Sequence, residues 1–222
     1  MLIALDTSTA IASLALYHES GIMAEATWQS HRNQTIHLLP MAQKMLELQN
    51  SGPDKLTGVA VALGPGSFNG LRVGVSAAKG LALALGIPIF GFSSLDIVAC
   101  QHSYLNGQLC TIIEAGRGRL GLGFYRVKLG SWKRIGDYQN VTVEELITKV
   151  NQPTFFCGEL SSTQRQQLEE GAGKNATILP PALILRRAGI LAEMAWQRLD
   201  TGDLGDDLAN LQPIYLHQPV NK

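Results

Sequence analysis

Hydrophobic and polar positions along the first hundred residues follow two periods, which separate strands from helices. Short runs rich in apolar and β-branched residues predict strands at 2–5, 11–17, 22–28, 59–63 and 87–92. Apolar residues recur every three or four positions in the remaining segments, which predicts helices at 33–49, 70–85 and from Ser94 to about 102. Pro53 and the Pro65-Gly66 turn lie between these elements, where chain reversals are expected.

The second half of the chain repeats this theme more weakly. Apolar runs predict strands at 109–113, 120–127 and 153–157 and a short one at 176–179, and helices are expected at 142–150, after Ser161 or Ser162, and at 182–199. Three strands followed by alternating helices and strands are typical of a ribonuclease H-like half, with a mixed sheet between helices. We therefore predict an α/β protein of two such lobes, residues 1–103 and a smaller, diverged lobe at 104–222.

Composition narrows the class of protein. Hydrophobic residues make up 45% of the 222 positions and charged residues 16%, which excludes intrinsic disorder. Eighteen Lys and Arg residues balance eighteen Asp and Glu residues. We therefore do not expect this chain to bind nucleic acid without a partner protein. A near-neutral chain repels its own copies weakly, which favours an oligomer. Without a signal-peptide pattern or an apolar run long enough to span a bilayer, we expect a cytoplasmic protein without membrane contact.

The segment after the first strand has the pattern of a phosphate-binding turn. Asp6, Thr7 and Ser8 resemble the first phosphate loop of actin-like and sugar-kinase-like proteins, but such loops have a glycine where this chain has Thr7 or Ser8. Gly66 and Ser67, before the helix at 70–85, form a second candidate anion site in which Ser67 caps the helix. These five residues are candidate vestigial phosphate-binding residues, and a purely structural turn is the alternative.

The two helices of the first lobe carry more apolar and small residues than one core face requires. Gly74 and Gly80 each cost the helix about 1 kcal/mol relative to alanine, which predicts a close approach by another helix. Arg72 lies in a first helical turn, where the helix dipole disfavours a cation, so an acidic partner is expected. A second internal layer of the same chain is the alternative explanation for the apolar excess.

Metal chemistry is not indicated. The five histidines show no HExxH or HxxxH spacing, and Cys100, Cys110 and Cys157 lack paired metal-ligand spacing. We expect the cysteines to be small buried residues and expect no metal and no resident cofactor; ATP or ADP is expected only at an interface.

Five segments carry a resemblance to a known family. They are Leu-Ile-Ala-Leu-Asp-Thr-Ser-Thr at 2–9, Leu-Leu-Pro at 38–40, Gly-Pro-Gly-Ser-Phe-Asn-Gly-Leu-Arg at 64–72, Ala-Lys-Gly-Leu-Ala at 78–82 and Pro-Ile-Tyr-Leu at 213–216. Together they resemble the bacterial TsaB (YeaZ) family, closely in the first half of the chain and at scattered points in the second.

This resemblance implies an ASKHA-type fold and a non-catalytic role in forming N6-threonylcarbamoyladenosine beside the anticodon of tRNAs that read ANN codons. It implies pairing with a TsaD transfer subunit, binding of a TsaE ATPase to the pair, contact with tRNA through the complex, and a homodimer when the chain is alone. The pairing surface would be the first two helices. The candidate partner-binding residues on them are Leu38, Met41, Met45, Leu48, Gly70, Leu71, Arg72, Gly74, Val75 and Ala78.

Two other functions remain open from the sequence. An ATP-dependent small-molecule kinase of the same fold would need a working phosphate turn at 6–9. A glycoprotease-like metallopeptidase would need a pair of metal-binding histidines.

Overall fold

The computed structural model describes residues 1–30 and 34–216 and divides into two compact units, each built on a five-stranded mixed sheet. The first unit comprises Met1–Ser93 and Arg187–Ile214. Its elements are β1 (Leu2–Asp6), β2 (Ile11–His18), β3 (Gly21–Gln29), α1 (Gln34–Leu48), β4 (Gly58–Gly64), α2 (Phe68–Leu85), β5 (Ile89–Ser93) and α6 (Ala188–Asp200).

The sheet of the first unit has the strand order β3-β2-β1-β4-β5. Strands β1, β4 and β5 are parallel, and β2 is antiparallel to both of its neighbours. Because side chains alternate along a strand, Ile3 and Leu5 face the core formed with α1 and α2, while Leu2 and Ala4 face α6. Helices therefore cover both faces of this sheet.

The second unit comprises Ser94–Arg186 and the described residues after Ile214. Its elements are α3 (Ser94–Gln101), β6 (Asn106–Glu114), β7 (Leu120–Lys128), β8 (Ser131–Val141), α4 (Val143–Ile147), β9 (Thr154–Gly158), α5 (Ser162–Ala172) and β10 (Ala176–Ile178). The strand order β10-β9-β6-β7-β8 and the strand directions reproduce those of the first sheet. The expected repeat is thus present as topology.

The unit boundaries differ from the predicted division at residue 103. The third helix of each repeat packs on the sheet of the other repeat: α3 contacts β6 and β7, and α6 contacts β1, β2 and β4. The first unit is therefore discontinuous in sequence, whereas the predicted lobes at 1–103 and 104–222 are consecutive. Periodicity in the sequence can indicate that one face of a helix is covered, but not by which sheet.

Two further predictions differ from the structure. Strand β8 was not predicted, and the last helix begins at Ala188 instead of 182. Residues Pro181–Leu183 form a 3-10 turn, and the amides at the start of α6 are capped by distant side chains: Ala188 N donates to Ser13 Oγ and Gly189 N to Glu25 Oε1. The segment at 213–216 lies outside the strands of the structure. Its Ile214 N donates to Leu63 O over 2.7 Å.

Candidate functional site

The turn after β1 is closed by hydrogen bonds within the chain. Asp6 Oδ1 accepts from Ser8 N at 2.9 Å and from Ser8 Oγ, and Thr7 Oγ1 donates to Gly70 O at 2.7 Å. Asp6, Thr7 and Ser8 are all buried. The Ser8 amide, which a phosphate-binding turn would direct at its ligand, is therefore already paired with the Asp6 carboxylate.

The loop between β4 and α2 packs directly against this turn. Ser67 N donates to Ser8 O at 2.6 Å, and a Cβ on Gly66 would overlap the same carbonyl. Ser67 is the N-cap of α2, with Gly70 N lying 3.5 Å from its hydroxyl. The glycine at 66 thus permits close approach of two backbone segments, which favours the structural-turn interpretation of both candidate phosphate loops.

Gly74 and Gly80 have different surroundings, although both lie inside α2. A Cβ on Gly74 would lie closer to Thr7 Oγ1 than van der Waals contact allows, whereas a Cβ on Gly80 would meet no atom within 4 Å. The close approach predicted for Gly74 therefore exists, but it is made by the turn after β1 and not by a second helix. Gly80 is exposed, and nothing within the described chain requires a glycine there.

Most of the candidate partner-binding residues lie in the core of the first unit. The buried ones are Leu38, Met45, Gly70, Leu71, Gly74, Val75 and Ala78. Met41 is half-buried, while Leu48 and Arg72 are exposed. The sheet of their own unit covers that face of the two helices, so these residues lie below the surface of the chain, and a partner-contacting role for them stays a prediction.

A different set of apolar side chains lies on the open side of α1 and α2. Leu39 is 49% exposed and lines two grooves between the helices, with volumes of about 330 and 440 Å³. Leu81 and Leu46 line the first groove, and Val73 and Ala77 line the second. Leu48 lies nine residues from Leu39 and so on the opposite side of α1. We call the surface formed by Leu39, Val73, Ala77, Gly80 and Leu81 the helix-pair face.

Arg72 has an aromatic neighbour on its own helix. Its guanidinium lies 4.0 Å from the centroid of the Phe68 ring, one turn earlier. This cation–π contact offsets part of the cost of a cation near the start of α2. An external carboxylate is therefore not needed to account for Arg72, and the expected acidic partner stays a prediction.

Over residues 1–30 and 34–216, no cluster of three or more His, Cys, Asp or Glu side chains is arranged to hold a metal ion. None of the helices in this part of the chain is long and apolar enough to cross a bilayer.

Comparisons with known proteins agree with this architecture. A family model described as TsaD, tRNA N6-adenosine threonylcarbamoyltransferase, matches residues 8–218. The chain is 32% identical over 180 residues to the tRNA threonylcarbamoyladenosine biosynthesis protein TsaB of Bacillus subtilis (strain 168), covering 80% of this chain and 79% of that protein. The chain belongs to the TsaB family.

Solved structures place this TsaB family member on the expected fold. The structure of YeaZ from Pseudomonas aeruginosa superposes with a TM-score of 0.79 at 26% identity, covering 97% of this chain and 99% of that one. An uncharacterized protein from Pseudomonas aeruginosa with similarity to peptidase YEAZ gives a TM-score of 0.80 at 25% identity, with the same coverage. The predicted family and ASKHA-type fold are both confirmed.

Sequence reasoning missed the residues of the helix-pair face. Periodicity predicts a core position for Leu39, which lies in line with Ala42 and Leu46, whereas Met45 is among the candidate partner-binding residues. The apolar stripe of α1 is wider than the face that the sheet covers, so periodicity alone could not choose its buried part. Only the structure shows that no packing contact among the described residues requires a glycine at position 80.

Proposed function

We propose that this chain is a non-catalytic subunit of the complex that forms N6-threonylcarbamoyladenosine on tRNA, and that it pairs with a TsaD-like transfer subunit. The observation that supports a role in this modification is the similarity to the Bacillus subtilis TsaB protein over four fifths of the chain. A TsaE-like ATPase and tRNA join through the assembled pair, in the cytoplasm, and the chain alone forms a homodimer.

A non-catalytic role is supported by the turn after β1. A kinase of this fold would bind phosphates at this turn, yet here Asp6 accepts the Ser8 amide and the Gly66 loop packs against it. We expect the isolated chain neither to hydrolyse ATP nor to transfer a threonylcarbamoyl group. Turnover by the pure protein that disappears in an Asp6→Ala variant would contradict this part of the proposal.

Pairing through the helix-pair face is supported by two properties of α1 and α2. Apolar side chains around Leu39 and Leu81 line grooves that a complementary apolar surface can fill, and burial of such surface contributes about 25 cal/mol per Å². Gly80 leaves α2 without a side chain at an exposed position, which permits close approach of another helix.

The test is to co-purify the chain with its cognate transfer subunit and to measure affinity and tRNA modification. Leu39→Asp should weaken pairing by about 2 kcal/mol or more, roughly 30-fold, because an unpaired carboxylate would be desolvated at the interface. Leu48→Asp is the matched control on the opposite side of α1, where the native leucine is 65% exposed. Both variants should keep the melting temperature of the monomer.

Gly80→Leu provides a second probe that introduces no charge. Its side chain would begin in open space, so the monomer should fold while close approach to α2 is blocked. If Leu39→Asp and Gly80→Leu both pair as tightly as the native chain, the helix-pair face is not the interface. If the native chain fails to pair or to support modification, the proposed function itself is wrong.

A further inference from the structure

One face of the second sheet carries exposed cationic side chains at the end of β7 and the start of β8. Along β7, Leu122 and Phe124 belong to the core beneath α4 and α5, and strand alternation places Arg126 and Lys128 on the same face. Both are exposed, as is Lys133 on the neighbouring strand β8. We call Arg126, Lys128 and Lys133 the cationic row.

Two members of the cationic row lie directly opposite each other. Arg126 pairs in register with Lys133 in the antiparallel β7–β8 ladder. Side chains in such positions have Cβ atoms about 5 Å apart, and like charges there destabilise a sheet. The fold therefore retains a repulsion that a bound anion would relieve.

Within the described residues, no Asp or Glu side chain neutralises this row. Among residues 1–30 and 34–216, no ion pair or hydrogen bond joins these three side chains to Asp or Glu, and the other residues of the chain include neither. The cross-strand neighbours of the row are uncharged: Arg126 lies beside Gln108, and Lys128 lies between Asn106 and Ser131.

Other arginines of the second unit do have partners. Arg186 forms an ion pair with Glu159 at 3.0 Å, Arg119 bonds Asn140 and lies near Glu145, and the Arg134 guanidinium lies 4.3 Å from the centroid of the Tyr138 ring. The cationic row thus differs from these three arginines of the unit. A solvated surface charge needs no partner, but two cations opposed in register are costly without one.

We propose that the cationic row binds the phosphodiester backbone of RNA, and, resting on the proposed function, that this RNA is the tRNA substrate. Arg126 and Lys128 lie two residues apart on one strand and are spaced by about 7 Å. The exposed Asn106 amide beside Lys128 can donate to phosphate and sugar oxygens. The chain has no net charge. Its contribution to RNA binding is therefore local and adds to that of the transfer subunit.

The test compares Arg126→Gln/Lys133→Gln with Lys55→Gln/Lys174→Gln, a control double variant with the same change in net charge. Lys55 and Lys174 are exposed and lie outside the second sheet. Each variant is assembled with the cognate transfer subunit, and affinity for an unmodified tRNA transcript is measured from 50 to 300 mM KCl. Loss of two phosphate contacts should make the slope of log K against log salt shallower by about 1.5.

The expected result is weaker tRNA binding and a shallower slope for Arg126→Gln/Lys133→Gln, a native-like result for the control, and unchanged pairing of the two subunits. The melting temperature should stay the same or rise, because the opposed cations are gone. Equal affinity and slope for both double variants would overturn the proposal while leaving the proposed function intact. Two other results for Arg126→Gln/Lys133→Gln would also overturn it. One is failure to pair with the transfer subunit, and the other is weaker binding to anionic vesicles while tRNA binding stays native-like.

Discussion

Replacing Gly74 with alanine should destabilise the first unit, although alanine is the better helix former. The added methyl would overlap Thr7 Oγ1, which donates to Gly70 O at 2.7 Å in the same buried corner. Either the hydroxyl moves and leaves this hydrogen bond, or α2 shifts away from the turn after β1. Both responses affect packing in the interior of the unit.

The magnitude follows from three opposing effects. Alanine contributes about 1 kcal/mol through helix propensity. Overpacking costs about 1 to 3 kcal/mol, and an unsatisfied buried hydroxyl costs a similar amount. We expect a net loss of about 2 kcal/mol, which for a chain of this size lowers the melting temperature by roughly 4 to 8 °C.

A double-mutant cycle with Thr7→Ala isolates the contact. Without the hydroxyl, the nearest atom to the new methyl is the Cβ of residue 7 at 3.7 Å, an ordinary packing distance. In that background Gly74→Ala should be neutral or stabilising by up to about 1 kcal/mol. Gly80→Ala, in open space, should stabilise the native chain by a similar amount. An equal loss from Gly74→Ala with and without Thr7→Ala, measured by urea and thermal unfolding, would refute this reasoning.

Two further outcomes are expected. Burial lowers the pKa of His102, so the folded state favours the neutral imidazole. The free energy of unfolding should therefore be fully present above pH 6.5, the ordinary histidine value, and fall as the pH decreases below it. Melting temperatures measured from pH 7.5 to 5.5 should show a smaller fall for His102→Gln than for the native chain. Asp206 accepts from Gly91 N at 2.6 Å and from Arg198 at 2.8 Å. Asp206→Asn should therefore lower the free energy of unfolding by about 1 to 2 kcal/mol and speed proteolytic cleavage within the segment that follows Asp200. An unchanged digestion pattern would contradict this expectation.

Local signals in the sequence were reliable where the chain itself supplies the cap or the turn. Ser67 caps α2 as expected, Thr142 and Glu145 form a capping box at the start of α4, and Gly86 ends α2 in the left-handed region with φ of 65°. Each of these interactions joins residues within a few positions of one another. Their geometry is therefore encoded in short segments that can be recognised without the fold.

Tertiary interactions decided the features that the sequence could not predict. The start of α6 depends on Ser13 and Glu25, which lie more than 160 residues earlier, and no local cap marks Ala188. The same holds for the candidate site. Periodicity identified α1 and α2 as rich in apolar residues, but the position of the sheet decided that Met45 is buried and Leu39 is exposed.

The exchange of third helices between the two repeats sets an order of events during synthesis. All strands of the second unit lie between Ser94 and Arg186 and can assemble as they emerge, whereas the first sheet must wait for α6 to cover Leu2 and Ala4. About 95 residues separate Ser93 from Ala188, so at 5–20 residues per second the ribosome leaves this apolar sheet face uncovered for roughly 5 to 20 seconds. The nascent chain therefore presents a binding site for chaperones that the finished protein no longer has.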